Sequence, residues 1–285
     1  MFYSGFADEA GTPIAEQIRA HKLLGWKYIE VRNVEGGNLT EVDDATFEKT
    51  LDALTRAGMK ISSFGSGIAN WARYIDQDFQ RDVNDLKRAI PRMKKAGCPI
   101  IRVMSWPNAK DKPLSDAEWK KEALKRMKVL VNLAEDGGIL IGHENCSGWG
   151  GHSPENMRQL MAEIPSLAFA VIYDTGNPPA EGQVAWEMYQ ACKGRIAYVH
   201  IKDTKRAAAG GKEVYAWPGE GEGDVRRVLA DLFKNGYDGG FSIEPHMASQ
   251  VHLGTKAEGN TEAFNIYVEY GKRFMKLVEG IKGKK

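Results

Sequence analysis

A single pattern, repeated eight times along the 285-residue chain, leaves few possible folds. Each unit consists of a short apolar run, a polar loop and an amphipathic helical pattern that closes at Gly or Pro. Strands that alternate with helices pair in parallel through right-handed crossovers. Eight such units at this length predict one α/β domain, a single (β/α)8 TIM barrel that covers residues 1–285.

The alternative arrangement of these units is an open, doubly wound sheet. That fold usually carries a glycine-rich fingerprint after its first strand, and here the corresponding turn is "ADEAGTP". The barrel is therefore favoured. Its helices are expected near residues 14–24, 46–57, 78–96, 116–135, 184–192, 224–235 and 261–278, with one more beginning at Ser153 and Pro154 and a kink at Pro91.

The charge balance argues against several classes of function. Lys and Arg total 39 against 38 for Asp and Glu, so no basic field is available for nucleic acid or an anionic membrane. No stretch approaches the roughly 20 apolar residues of a membrane span, and the N-terminus lacks a secretory pattern. Cys98, Cys146 and Cys192 are far apart, which is typical of a reducing compartment, so a cytoplasmic location is expected.

Polar residues stand where the last four predicted strands end. In this type of barrel the catalytic groups project from the C-terminal ends of the strands. The residues at these ends are His143, Glu144 and Asn145 on the fifth strand, Asp174 on the sixth, His200, Lys202 and Asp203 on the seventh, and Glu244 and His246 on the eighth.

Glu144 is the residue that most needs an explanation, because "ILIGHEN" is an otherwise apolar strand. A buried carboxylate costs several kcal/mol unless it is paired or bound to a metal. Together with Asp174, His200 and Glu244 it makes a set of oxygen and nitrogen ligands that suits one divalent ion. Ion pairing and turn formation remain the alternatives for each residue taken singly.

Other residues are open to two interpretations. Trp106, Trp149 and Trp217 lie in or near predicted rim loops, where an indole could pack on a sugar ring or on the core. The loop "GEGEGD" is acidic and is expected to end in an Asp helix cap instead of binding phosphate. Glu30 and Arg32 end the second strand and are candidates to pair with each other.

Two neighbours of Glu144 also need placing. Strand alternation predicts that His143 points away from Glu144 and is structural. Asn145 could hold the side chain of Glu144 or contact the substrate.

With "HEN", "DTGN", "HIKD" and "IEPH" on strands five to eight, the chain resembles the xylose isomerase-like TIM-barrel superfamily of sugar phosphate isomerases and epimerases. The resemblance covers nearly the whole chain and rests on the order Glu, Asp, His, Glu. It implies a metal site made of Glu144, Asp174, His200 and Glu244, with Glu144 and Glu244 as the catalytic acid/base pair. Mn²⁺ is the expected ion, and Mg²⁺, Co²⁺ or Zn²⁺ are alternatives.

The resemblance is less complete at the substrate contacts. The ketose 3-epimerases of this superfamily have an arginine where Arg206 stands, but a histidine at the position of Asn177 and a glutamate at the position of Gly150. Endonuclease-type relatives need further histidines that this chain lacks. The residues expected to bind substrate are Arg206, Asn177, His246, Lys202 and Trp106.

The sequence therefore predicts a metal-dependent isomerase or epimerase that moves a proton next to the carbonyl group of a ketose or keto-polyol through an enediolate. A lyase or dehydratase acting on a keto-inositol or keto-glycoside is one alternative, and a non-catalytic sugar-binding barrel is another. The expected partner is a small sugar or polyol, and a homo-oligomer is possible.

Overall fold

Eight parallel strands form the centre of the protein, described by a computed structural model for residues 1–206, 214–248 and 261–283. The strands are β1 (Phe2–Gly5), β2 (Tyr28–Val31), β3 (Lys60–Gly65), β4 (Ile100–Ser105), β5 (Leu140–Gly148), β6 (Phe169–Asp174), β7 (Ile196–Ile201) and β8 (Gly240–Ile243). Their order in the sheet is β1-β8-β7-β6-β5-β4-β3-β2. A parallel bridge between Phe6 and Glu30 joins the two ends, so the predicted barrel is confirmed.

One long helix follows each strand. The helices are α1 (Ile14–Leu24), α2 (Asp44–Arg56), α3 (Gln80–Ala96), α4 (Asp116–Gly137), α5 (Pro154–Glu163), α6 (Ala185–Cys192), α7 (Val225–Lys234) and α8 (Thr261–Lys282). These bounds lie within four residues of the predicted ones. Ser153 caps α5 by accepting a hydrogen bond from the backbone N–H of Asn156 at 3.1 Å. In the part of the chain described, no helix is long and apolar enough to cross a bilayer.

Strand alternation separates two sets of side chains. Residues such as Ile101, Val171 and Val199 point outward and join the large apolar core under the helices. Their neighbours Ile100, Ile172 and Tyr198 point inward and form a smaller apolar cluster inside the barrel.

Two residues further along the same strands, the inward position is polar. Arg102, Asp174 and His200 follow Ile100, Ile172 and Tyr198 in this way, and Asp174 is in register with His200. Glu144 likewise follows Gly142, where a Cβ atom would lie 2.7 Å from the side chain of Ile172. The strand period therefore places the polar residues together at the C-terminal end of the barrel.

Candidate metal centre

The four predicted ligands come together at this rim. Glu144, Asp174, His200 and Glu244 each offer one ligand atom, and these atoms all lie within 4.8 Å of one another. All four side chains are buried. This proximity follows from the parallel register of the four neighbouring strands β5 to β8.

Asn145 holds Asp174 in place through the backbone. Its Nδ2 donates to the carbonyl oxygen of Asp174 at 2.9 Å, and its Oδ1 accepts from the backbone N–H of Asp174 at 2.7 Å. The Oδ1 of Asp174 accepts from the backbone N–H groups of Gly176 and Asn177 at 2.8 and 2.6 Å. Asn145 therefore fixes the end of the sixth strand, and both of its hydrogen bonds go to Asp174 and not to Glu144.

His200 lies between two carboxylates. Its Nδ1 is 2.9 Å from Oε1 of Glu144, and its Nε2 is 3.0 Å from Oε2 of Glu30. Burial acts to lower the pKa of His200, but Glu30 and Glu144 outweigh it and raise the pKa to about 10. Glu30 thus contacts the ring from the side opposite Glu144, which is where a carboxylate commonly orients a metal-binding histidine.

Arg32 contacts Glu244 and does not pair with Glu30 in the described structure. Its Nη1 donates to Oε1 of Glu244 at 2.9 Å, while Nε and Nη2 donate to the carboxylate of Asp8 at 2.9 and 3.2 Å. Glu9 is also within 3.3 Å of this guanidinium group. The proposed pairing of Glu30 with Arg32 is therefore wrong, because the two side chains meet different members of the cluster.

The charge of each glutamate is fixed by its neighbours. Burial raises the pKa of Glu144, but Arg102 and His200 outweigh it and lower the pKa to about 2. The pKa of Glu244 is also held well below its usual range, against burial, by Lys202, His246 and Arg32. Both side chains are therefore carboxylates at neutral pH.

Lys202 supplies a buried positive charge. Its Nζ is 3.3 Å from Oδ2 of Asp174 and 3.2 Å from Oε2 of Glu244. Burial raises the pKa of Asp174 to about 6, with Lys202 acting in the opposite direction. The ammonium group offsets part of the negative charge of the cluster.

The residues present fit a divalent cation. Six buried carboxylates, of Asp8, Glu9, Glu30, Glu144, Asp174 and Glu244, are in contact with four buried groups that carry positive charge, those of Arg32, Arg102, Lys202 and the protonated His200. This excess of negative charge in a low-dielectric site favours a cation. Asp174 Oδ2 also has no hydrogen-bond partner within the described residues. Three carboxylates and one imidazole are ligands that Mn²⁺, Mg²⁺ and similar ions accept.

A cavity of about 120 Å³ opens beside the four residues. Glu144 and Glu244 line it, whereas Asp174 and His200 do not. Its other polar or aromatic lining residues are Arg32, Asn33, Asn38, Ser66, Asn70, Trp71, Arg102 and Lys202. A small polar molecule could therefore contact both glutamates at once.

The predicted substrate contacts separate into two groups. Lys202 lines the cavity, and the Nε2 of His246 lies 3.6 Å from Oε1 of Glu244. Glu9 holds His246 by accepting from its backbone N–H at 2.7 Å. These two residues are therefore close to where a substrate would bind, although their roles remain predictions.

The remaining three predicted contacts do not line this cavity. Arg206 is half exposed and lies 3.3 Å from a carboxylate oxygen of Glu222. Asn177 is buried, and its backbone supports Asp174. Trp106 is fully buried and donates its indole N–H to Asp82 at 2.6 Å. In the structure as described, none of the three lines this cavity, and their roles in substrate binding stay predictions.

Sequence reasoning did not single out Arg102, Asn70 and Trp71. Arg102 had a signal, because it is a charged residue at an inward position of the apolar strand "IIRVMS". Its Nη1 is 3.3 Å from Oε2 of Glu144, and its Nη2 donates to the carbonyl oxygen of Ser66 at 2.9 Å. Asn70 and Trp71 come from the long loop after β3, where no periodic signal exists.

The loop "GEGEGD" binds a side chain of the protein itself. Backbone N–H groups of Gly219 and Gly221 donate to Oδ2 of Asp203 at 2.8 and 2.9 Å, and that of Gly223 donates to Oδ1 at 3.0 Å. Asp224 precedes α7 as predicted, but its side chain makes no capping hydrogen bond. The predicted cap is therefore wrong, and the glycines fix the segment after Lys202 instead.

Fold and site together define a (β/α)8 barrel with a buried cluster of carboxylates and histidine, suited to a divalent cation, at the C-terminal rim. The chain belongs to the xylose isomerase-like TIM-barrel family, whose model matches residues 18–265.

Individual relatives are more distant. An inosose dehydratase of Lactiplantibacillus plantarum is 27% identical over 149 residues, which are 47% of this chain and 49% of the relative. A 2-epi-5-epi-valiolone 7-phosphate 2-epimerase of Actinoplanes sp. is 29% identical over 150 residues, covering 52% of this chain and 50% of the relative. The chain thus spans about half the length of these relatives.

The fold is shared with solved structures at low identity. A xylose isomerase-like TIM-barrel protein from Mycobacterium smegmatis, in complex with magnesium, superposes with a TM-score of 0.71. The match covers 98% of this chain and 97% of that protein at 16% identity. The two relatives named here are thus a dehydratase and an epimerase, and this structural neighbour is in complex with magnesium.

Proposed function

We propose that the protein is a divalent-metal-dependent isomerase or epimerase that moves a proton next to the carbonyl group of a ketose or keto-polyol. One observation carries the proposal. Of the four clustered ligand candidates, only Glu144 and Glu244 also line the cavity among the residues described. Two carboxylates that face a substrate beside a cation are the groups that such a proton transfer requires.

Glu144, Asp174, His200 and Glu244 would hold the cation, with Mn²⁺ expected first and Mg²⁺, Co²⁺ or Zn²⁺ as alternatives. Such an ion would act as a Lewis acid and stabilise the negative charge that develops on the substrate oxygens. Asp174 and His200 lie outside the cavity lining, so they would bind the ion but would not contact the substrate.

The two glutamates would carry the proton. Both have a pKa below the usual range, so both are ionised and able to accept a proton at neutral pH. One carboxylate would remove the proton from the carbon next to the carbonyl group and later release it to solvent. The other would first take a proton from solvent and then donate it to the same carbon or to its neighbour. Lys202 lines the same cavity and would donate a hydrogen bond to a substrate oxygen.

A dehydratase acting on a keto-inositol is the second candidate, because an inosose dehydratase is among the similar proteins. A lyase acting on a keto-glycoside would use the same chemistry. The first step is unchanged, since a carboxylate removes the proton next to the carbonyl group. A hydroxyl or sugar group at the following carbon then leaves, and the second glutamate, after taking a proton from solvent, donates that proton to the leaving oxygen.

Solvent deuterium distinguishes these reactions. The protein, loaded with Mn²⁺, is incubated in D₂O with a panel of ketoses and inososes, and the products are analysed by NMR and mass spectrometry. Deuterium in an isomeric sugar supports the isomerase or epimerase, whereas loss of water or an aglycone supports the second candidate. No deuterium exchange and no turnover on any member of the panel would contradict both and favour a sugar-binding barrel.

Variants test the roles of the glutamates. Glu144→Gln and Glu244→Gln should each lower the rate by about 10²–10⁴-fold, which is typical for loss of a general acid or base. Glu155→Gln is the control, because Glu155 is exposed on α5, and it should keep full activity. Circular dichroism checks that all three variants are folded. Retention of full activity by either site variant would contradict the assigned role.

A further inference from the structure

The side chain of Lys202 lies within the group of candidate metal ligands. Its Nζ is 3.3 Å from Oδ2 of Asp174 and 3.2 Å from Oε2 of Glu244, and the side chain is 3% exposed. A buried ammonium group in contact with two carboxylates does what a bound cation would do there, because it offsets their charge.

The oxygens that Lys202 contacts are those with few other partners. Oδ1 of Asp174 already accepts from the backbone N–H groups of Gly176 and Asn177, whereas Oδ2 has no hydrogen-bond partner within the described residues. Oε1 of Glu244 accepts from Arg32, which leaves Oε2 to Lys202. A cation that takes one oxygen from each carboxylate therefore competes with the ammonium group, and two cations so close repel each other.

The base of the Lys202 side chain is fixed, although the residue lines the cavity. The backbone N–H and carbonyl groups of Lys202 both hydrogen-bond to Oγ1 of Thr175. Gly176 packs so closely that a Cβ atom there would lie 2.6 Å from Cγ of Lys202. Since Lys202 also lines the cavity, the ammonium group can move in that direction by rotation of the outer methylene groups.

We infer that Lys202 is an internal counterion that competes with the divalent cation for Asp174 and Glu244, and that metal binding transfers its ammonium group into the cavity, where it binds a substrate oxygen. The inference rests on the proposed function, since it requires the metal site and the cavity. It adds an order of events: the substrate-binding surface is complete only after the cation has replaced Lys202 at the two carboxylates.

Metal affinity without any substrate tests the competition. Mn²⁺ binding to chelator-treated protein is measured by isothermal titration calorimetry for wild type, Lys202→Met and Lys202→Gln. Loss of the competing charge should tighten binding by at least about tenfold. The unfolding temperature of the metal-free variants should fall, and the rise on adding Mn²⁺ should exceed that of wild type. Lys205→Met is the control, because Lys205 is exposed on the same segment, and it should match wild type.

The outcomes separate the two proposals. Wild type that binds no divalent metal would defeat the proposed function. Wild type that binds Mn²⁺, with folded Lys202 variants that bind it equally or more weakly, would overturn the counterion role alone. A Lys202→Met variant that folds only with Mn²⁺ supports that role. If Lys202→Met folds neither with nor without Mn²⁺, the Mn²⁺ affinity of Lys202→Gln tests the role instead.

The transfer itself has a structural readout. In a crystal structure of the Mn²⁺-loaded protein, the Nζ of Lys202 should lie beyond hydrogen-bonding distance of Asp174 Oδ2 and point into the cavity. An ammonium group still in ion-pair contact with both Asp174 and Glu244 beside a bound ion would refute the transfer.

Discussion

Replacing Asp203 with asparagine should release the glycine-rich loop that follows the seventh strand. The carboxylate accepts four backbone N–H groups: Gly219 and Gly221 on Oδ2, and Gly223 and Thr204 on Oδ1. An amide group has only one oxygen, so two of these N–H groups must face another donor. The side chain is buried, and water cannot take over the lost bonds without opening the loop.

The magnitude follows from the bonds that are lost. Hydrogen bonds to a charged group contribute about 1.5–3 kcal/mol each, so losing two costs about 3–6 kcal/mol. This cost can appear as global destabilisation or as local opening of the loop, whichever requires less free energy. Since about 1.4 kcal/mol corresponds to a factor of ten, local opening would raise amide exchange at Gly219, Gly221 and Gly223 by about 10²–10⁴-fold.

Two measurements on the metal-free protein test this prediction. Urea unfolding gives the global change in free energy, and hydrogen exchange followed by NMR gives the local one. Asp224→Asn is a matched control in the same loop: Asp224 makes no capping bond and has a φ of 51°, a conformation that asparagine tolerates. Gly221→Ala should resemble Asp203→Asn, because a Cβ atom would lie 2.3 Å from Oδ1 of Asp203. If Asp203→Asn matched Asp224→Asn in both measurements, the reasoning would be refuted.

Three further predictions concern single residues. Glu30→Gln should weaken Mn²⁺ binding about 10–100-fold in calorimetry, because the amide supports Nε2 of His200 less well than the carboxylate does; unchanged affinity would exclude this support. Asn145→Leu should lower both metal affinity and the free energy of unfolding, by about 2–4 kcal/mol for the latter, since both of its hydrogen bonds to Asp174 are lost; a stability equal to wild type in urea would contradict this. Burial lowers the pKa of His21 to about 4, so the neutral ring contributes fully to the free energy of unfolding above pH 6.5, and about 3 kcal/mol of that free energy is lost as the pH falls to 4. The free energy of unfolding of His21→Gln should therefore depend less on pH between 6.5 and 4, and an unchanged dependence would contradict this prediction.

The barrel and the ligand set could be predicted because they depend on strand period. Asp174 and His200 sit at inward positions at the C-terminal ends of their strands, and Glu144 is the last residue of β5 that pairs with β6, so parallel register brings the three together. The same alternation correctly placed His143 outward, where it is fully buried beside Phe169. The strand period does not predict which charged groups pair, as the separate contacts of Glu30 with His200 and of Arg32 with Glu244 illustrate.

The substrate contacts were harder to predict because they lie just beyond the strands. Trp106 follows β4 with a φ of 53°, so strand alternation no longer decides where its indole group points. The loop after β3 brings Asn70 and Trp71 to the cavity through Arg73, which anchors the loop to Asp82 and Asp85 on α3 at 2.5 and 2.6 Å. Such an anchor depends on residues that lie outside the cavity, and it has no periodic signature in the sequence.

Each of the two glutamates contacts an arginine, and both arginines pack on Phe6. Arg32 donates to one oxygen of Glu244, and Arg102 lies 3.3 Å from one oxygen of Glu144. Both guanidinium groups lie over the ring of Phe6, at 4.5 and 5.2 Å from its centroid. Arg102 and His200 keep Glu144 ionised, and Lys202, His246 and Arg32 keep Glu244 ionised, which makes both weak bases but leaves them free of protons at neutral pH. A weak base can remove a proton next to a carbonyl group only if the resulting negative charge is stabilised. In the proposed reaction, the electrostatics of the pair therefore call for a cation, which Asp174 and His200 would also hold.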